Sequence, residues 1–181
     1  MLGLDYTLNW SLNGDGVTPG GEAFRITKPA YAAKLLGGAP SALGAPTDPA
    51  GEVDEEAFDA AMQRSVEILE AAKVLYVTEG DAPGERVPCR IITDDLGLAA
   101  TAMGQVVEQM PLREPKGLKI TCFATPAGPD FAAFDLFEEK GEERAKIILS
   151  GADASASKVK ASVQLAAAKL LEPPPPDSPA E

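Results

Sequence analysis

The sequence contains no histidine, two cysteines and one tryptophan, and these shortages remove whole classes of function. Without histidine the chain cannot build a Ser-His-Asp or Cys-His catalytic group, a histidine-ligated metal site or a Cys2His2 zinc finger. Cys89 and Cys122 alone are too few for a zinc site. Both lie among apolar and β-branched residues, so we expect buried, reduced thiols on strands. A disulfide between neighbouring strands is the alternative.

Positive charge is also in short supply. Lys and Arg number 16 against 28 Asp and Glu, which gives a net charge of −12. A protein of this charge repels nucleic acid phosphates and anionic membranes, and the sequence has no basic stripe that would offset the repulsion. We therefore expect protein subunits as partners, with no nucleic acid and no membrane. No cofactor is expected either, because the sequence has no recognisable cofactor-binding motif.

Long apolar runs are absent, and none approaches the ~20 residues of a membrane helix. The first ten residues, MLGLDYTLNW, have no basic stretch and include Asp5, so no secretory signal is expected. The expected location is a virion or the cytoplasm.

Glycine and proline are abundant and divide the chain into four parts. The interpretation is an N-terminal β-hairpin region over 1–30, a Gly/Ala/Pro-rich arm or linker over 31–53, a body over 54–172 and a proline-rich tail over 173–181. Within the hairpin region, large apolar residues alternate with polar ones from Tyr6 to Leu12, which predicts a strand. Phe24 and Ile26 predict the returning strand.

The body shows regular hydrophobic periodicity. A cap at Asp54 predicts a helix over 54–73, and a cap at Asp94 predicts a helix that Pro111 ends. The other predicted elements are strands Val74–Thr78, Val87–Thr93, Leu118–Thr125, Phe131–Glu138 and Arg144–Ser150, and a helix from about Ser155 to Glu172. Whether 74–93 forms a hairpin or extends a helix is left open.

Short gaps separate the last three predicted strands, and short gaps favour an antiparallel meander. The predicted class is α+β: a mostly antiparallel sheet with about three packed helices, an extended N-terminal arm and the proline-rich tail.

Two short motifs are candidates for chemistry, each with a structural explanation beside it. Ser155 and Lys158 match the S-x-x-K spacing of serine-lysine acyl transfer, although a serine at a helix start is also a common cap. Asp94 and Asp95 follow a strand and could hold a divalent metal for hydrolysis, although acidic first turns are common for structural reasons. No phosphate-binding glycine loop accompanies them.

The segment from Asn9 to Gly16 shares alternating oxygen side chains with a calcium loop. Its twelfth position, where a bidentate glutamate is needed, is Gly20, so no calcium site is expected.

The predicted function is structural and non-enzymatic. The chain is interpreted as an assembly protein of a large symmetric complex, most concretely a phage-type virion component such as a capsid decoration, connector or tail protein. Alternatives are a cytoplasmic protein-binding adaptor and a metal-dependent hydrolase using Asp94 and Asp95. The predicted interface residues are Trp10, Pro40, Pro46, Pro173, Pro174, Pro175 and Pro176.

Overall fold

The structure is a computed structural model that describes residues 6–82, 84–109 and 118–171. Within these ranges the elements, in chain order, are α1 (Tyr6–Gly14), β1 (Glu22–Ile26), α2 (Pro29–Leu36), α3 (Glu55–Ala71), β2 (Val74–Asp81), β3 (Pro88–Thr93), α4 (Leu96–Gln105), β4 (Ile120–Thr125), β5 (Phe131–Glu139), β6 (Glu142–Ser150), a 3-10 turn (Gly151–Asp153) and α5 (Ala156–Leu171). The predicted α+β class is confirmed.

The strands form one mixed sheet in the order β1-β2-β3-β4-β6-β5. The antiparallel pairs are the two hairpins, β2–β3 and β5–β6, while β1–β2, β3–β4 and β4–β6 are parallel. The structure thus shows 74–93 to be a hairpin. The predicted meander of the last three strands is wrong in its order, because β6 rather than β5 lies beside β4.

Helices cover both faces of the sheet, as parallel pairing requires. Buried residues of α2, α4 and α5 share one core with the sheet, and buried residues of α1 and α3 share smaller cores on the opposite face. Alternate residues of β3 show this division, since Ile91 belongs to the first core and Ile92 to the second.

The predicted strand from Tyr6 to Leu12 is wrong, because these residues form α1. Leu8 and Leu12 are fully buried together in the core beneath α3. A spacing of four residues satisfies both the period of a strand and the period of a helix, so the alternation could not decide between them. The predicted hairpin over 1–30 is therefore also wrong, and β1 pairs instead with β2 in parallel.

The start of the predicted arm is helical. Pro29 begins α2, where a missing amide hydrogen costs nothing, and Gly37 ends it in a left-handed conformation with φ of 80°. The rest of the arm, residues 37–53, has no helix or strand. We call this segment the strap.

Helix starts were predicted with mixed success. Asp54 caps α3 by accepting from the Ala57 amide at 2.7 Å, as expected. The second helix is capped by Asp95 rather than Asp94, with the Leu98 amide 2.9 Å from Asp95 Oδ1. It also ends earlier than predicted, because Gly104 adopts a φ of 96° that breaks the helical path.

Candidate functional site: a cleft beneath the strap

The strap crosses the side of the body that carries α4 and α5, and it is hydrogen-bonded near both ends. At its first end the amide group of Gln105 bridges two strap positions, accepting from the Leu43 amide at 3.1 Å and donating to the Ser41 carbonyl at 2.9 Å. At its second end the Ala50 amide donates to Ser162 Oγ at 2.9 Å. The strap therefore rests on its own chain.

A further contact joins the strap to the edge of the sheet. The Phe134 amide of β5 donates to the Gly51 carbonyl at 2.9 Å, so the strap satisfies one outward-facing group of this edge strand. Ala50 is 1% exposed and belongs to the core that α2, α4 and α5 share with the sheet. These contacts were not predicted, although a serine on the buried stripe of α5 was a signal that Ser162 needed a partner.

A cleft of about 540 Å³ lies beneath the strap. Its floor includes Pro126, Asp95 and Ala154, which follow the carboxyl ends of β4, β3 and β6. The carboxyl ends of parallel strands meet at one edge of a sheet, and open α/β sheets commonly bind ligands there. A second cavity of about 290 Å³ lies beside the first and is lined by Lys160 and Gln164.

Two helices begin at the cleft. The first turns of α4 and α5 contribute Gly97 and Ser157 to its lining. Amides in the first turn of a helix have no acceptor within that helix and point along the positive end of its dipole. The cleft wall therefore presents backbone donors as well as hydroxyl groups.

The structure brings Asp95 and Ser155 to the same cleft, a juxtaposition that the sequence analysis missed. Each acts as a helix cap: Asp95 accepts from Leu98, and Ser155 Oγ accepts from the Lys158 amide at 3.2 Å. The structural explanation of each motif is thus supported by a direct contact.

Asp94 lies half-buried beside the cap. Burial, with the neighbouring Asp95 charge as a smaller contribution, raises the pKa of Asp94 above its ordinary value. In the described ranges no group of three or more Asp, Glu, Cys or His side chains is placed to hold a metal ion. Metal binding at Asp94 and Asp95 stays an untested alternative.

The predicted interface residues fall in different places. Pro40 is half-buried and Pro46 is exposed, both on the strap. Trp10 lies on α1, and its side chain is outside the described part of the structure. Pro173, Pro174, Pro175 and Pro176 also lie outside the described residues.

The two cysteines match the main prediction of free, buried thiols. Cys89 on β3 and Cys122 on β4 are fully buried in the same core. Burial raises the pKa of Cys122 to about 12, and it raises the pKa of Cys89 well above the ordinary value. Neither thiol is activated as a nucleophile at neutral pH.

A buried charge cluster on the opposite face was also missed. It consists of Arg90 on β3, Glu79 on β2, Arg25 on β1 and Asp15 after α1. Arg90 is only 4% exposed, and an arginine inside a buried strand was the available signal. The cluster joins three strands to α1 and lies away from the cleft.

No helix within the described residues is long and apolar enough to cross a membrane. No protein-family model matches the chain, and neither the curated proteins nor the solved structures include a significant match.

Proposed function

We propose that this protein is a non-catalytic assembly protein whose strap contacts neighbouring copies of the chain. The observation that carries the proposal is the composition and exposure of the strap. Residues 37–47 contain no charged side chain, although the whole chain has a net charge of −12. Protein interfaces are depleted of charge at their centres, so the uncharged part of the strap has the composition expected of an interface, unlike the acidic chain as a whole.

The outer side of the strap is open. Gly38 and Ala39 are exposed and line neither cavity, while the contacts of Ala50 and Leu43 fix the inner side. Binding a strap that is anchored near both ends costs less conformational entropy than binding a free linker. Because the strap forms no helix or strand of its own, it also offers backbone groups for a partner strand.

A phage-type virion component, such as a capsid decoration, connector or tail protein, is the most concrete version of this proposal. Such a component would reside in the virion or in the cytoplasm before assembly. In this version the proline-rich end of the chain supplies a second contact, since proline runs favour an extended conformation that proteins readily bind.

Sedimentation velocity over a range of concentrations tests the proposal. We expect the full chain to sediment as oligomers above a critical concentration. Ala39→Glu places a charge on the outer side of the strap and should weaken association at least ~10-fold, which corresponds to ~1.4 kcal/mol.

Ala60→Glu is the matched control, because Ala60 is equally an exposed alanine but lies on α3. It should leave association unchanged. A chain that stays monomeric up to ~1 mM would contradict self-assembly and favour the adaptor alternative, and equal effects of the two substitutions would contradict the role of the strap.

A further inference from the structure

The two cavities beneath the strap are adjacent and share part of their lining. Gly44, Thr47 and Ser157 contribute to both, so the larger cavity, of about 540 Å³, and the smaller one, of about 290 Å³, meet under the middle of the strap. Sites for small molecules occupy roughly 300–1,000 Å³, and the larger cavity lies within this range.

The Ser157 hydroxyl at this junction has a buried Oγ, and within the described residues it has no hydrogen-bond partner. A Cβ placed on Gly44 of the strap would lie 3.7 Å from this oxygen, so the strap covers the hydroxyl without bonding to it. Buried polar groups are nearly always bonded, so the hydroxyl needs a partner that can enter the cleft.

The middle of the strap is placed to let a ligand enter. Its anchoring bonds involve Ser41 and Leu43 at one end and Ala50 and Gly51 at the other. Between them, in the described structure, no hydrogen bond joins residues 44–49 to the body. The section directly above the two cavities can therefore move without breaking an anchor.

The charges of the lining identify the chemistry of the ligand. Among the described residues, Asp95 is the only charged residue that lines the larger cavity, and Lys160 is the only one that lines the smaller cavity. The two charges have opposite signs and lie on either side of Ser157. The first turn of α5, which carries no acidic residue, adds backbone donors on the side of Lys160.

We propose that the strap cleft binds a small zwitterion that carries a primary ammonium group and a carboxylate, such as an amino acid or a short peptide. The ammonium group faces Asp95, and the carboxylate faces Lys160 and the first turn of α5. Ser157 bonds to the middle of the ligand. This site uses the inner side of the strap, so it does not depend on the assembly contacts of the outer side.

The test is a titration of the 15N-labelled full chain, followed by the amide resonances of Gly97 and Ser157. The probes are glycylglycine, N-acetylglycine, which lacks the ammonium group, and glycinamide, which lacks the carboxylate. We expect saturable shifts with glycylglycine at a Kd below ~1 mM, and at least ~10-fold weaker binding of each singly charged probe. Absence of saturation below ~1 mM, or equal binding of glycylglycine and either analogue, would overturn the proposal.

Matched substitutions locate the binding. Asp95→Asn keeps a side chain that can cap α4, so the fold should be preserved while the affinity for glycylglycine falls at least ~10-fold. Lys160→Gln should have the same effect. Asp59→Asn on α3 and Lys34→Gln on α2, both at exposed positions, should leave the affinity unchanged. Unchanged affinity in both cleft variants would place the site elsewhere and overturn the assignment.

Discussion

Arg90 donates from Nη1 to Oδ2 of Asp15 at 2.7 Å, and this bond ties the middle of the sheet to the end of α1. The same guanidinium group contacts Glu79 Oε2 through Nη2 at 2.6 Å and through Nε at 2.8 Å. A nearly buried arginine therefore holds two carboxylates that belong to different layers of the fold.

Replacing Arg90 with methionine should be strongly destabilising. The change leaves Glu79 and Asp15 without their shared counter-charge, and breaking a buried ion pair in this way costs about 3–5 kcal/mol. Arg25→Met is the control, since the Arg25 side chain is 30% exposed and lies 3.4 Å from Glu79 Oε1. It should cost less than about 1 kcal/mol. Urea unfolding of both variants measures the difference, and equal losses would show that Arg90 has no special role.

Protonation of the Asp15 carboxyl group should stabilise the folded protein as the pH falls. Burial, opposed by Arg90, raises its pKa above the ordinary value of 3.8. The folded protein then retains this proton over a range in which the unfolded chain has released it. The stability that the group contributes is complete below the unfolded pKa and is lost as the pH rises through the folded pKa.

The direction of this pH dependence can be measured by comparing the wild type with the Asp15→Asn variant. As the pH falls from 7 to about 4, the free energy of unfolding of the wild type should rise relative to that of the variant. The opposite trend would mean that the Arg90 ion pair outweighs burial.

The thiols of Cys89 and Cys122 should be inert in the folded protein. Both are fully buried with raised pKa values, so neither forms an accessible thiolate at pH 8. A thiol reagent such as dithionitrobenzoate should react only as fast as the protein unfolds, and denaturant should release two equivalents. Rapid labelling of either cysteine under native conditions would contradict this placement.

Removing the Ser162 hydroxyl should loosen the strap. In Ser162→Ala the buried Ala50 amide loses its acceptor, at a cost of about 1–3 kcal/mol. Hydrogen exchange at the Ala50 amide should accelerate accordingly. Ser41→Ala is the control, because Ser41 is an exposed strap residue that contributes only its carbonyl to the anchor. Equal exchange in both variants would mean that this anchor does not hold the strap.

Local signals in the sequence were sufficient for much of the fold. Asp54 and Ser155 were recognised as caps because their side chains act on amides three residues away, within one helical turn. The hairpin strands were recognised from continuous apolar runs between turn-forming residues.

Features that depend on distant contacts could not be predicted. The spacing of Leu8 and Leu12 is compatible with both a strand and a helix. Only their burial in the core under α3 favours the helix. The strap was correctly assigned no regular structure, but its position depends on Gln105 and Ser162, which lie far along the chain. The cleft exists only because the strap crosses the starts of α4 and α5.

The most direct test of the assembly role is photo-crosslinking from the outer side of the strap. A benzophenone amino acid at position 39, compared with one at position 60, reports which face meets another subunit when the protein is assembled. We expect covalent dimers from position 39 and none from position 60. Crosslinks between chains from position 60 alone, or no dimers from position 39, would contradict the assembly role of the strap.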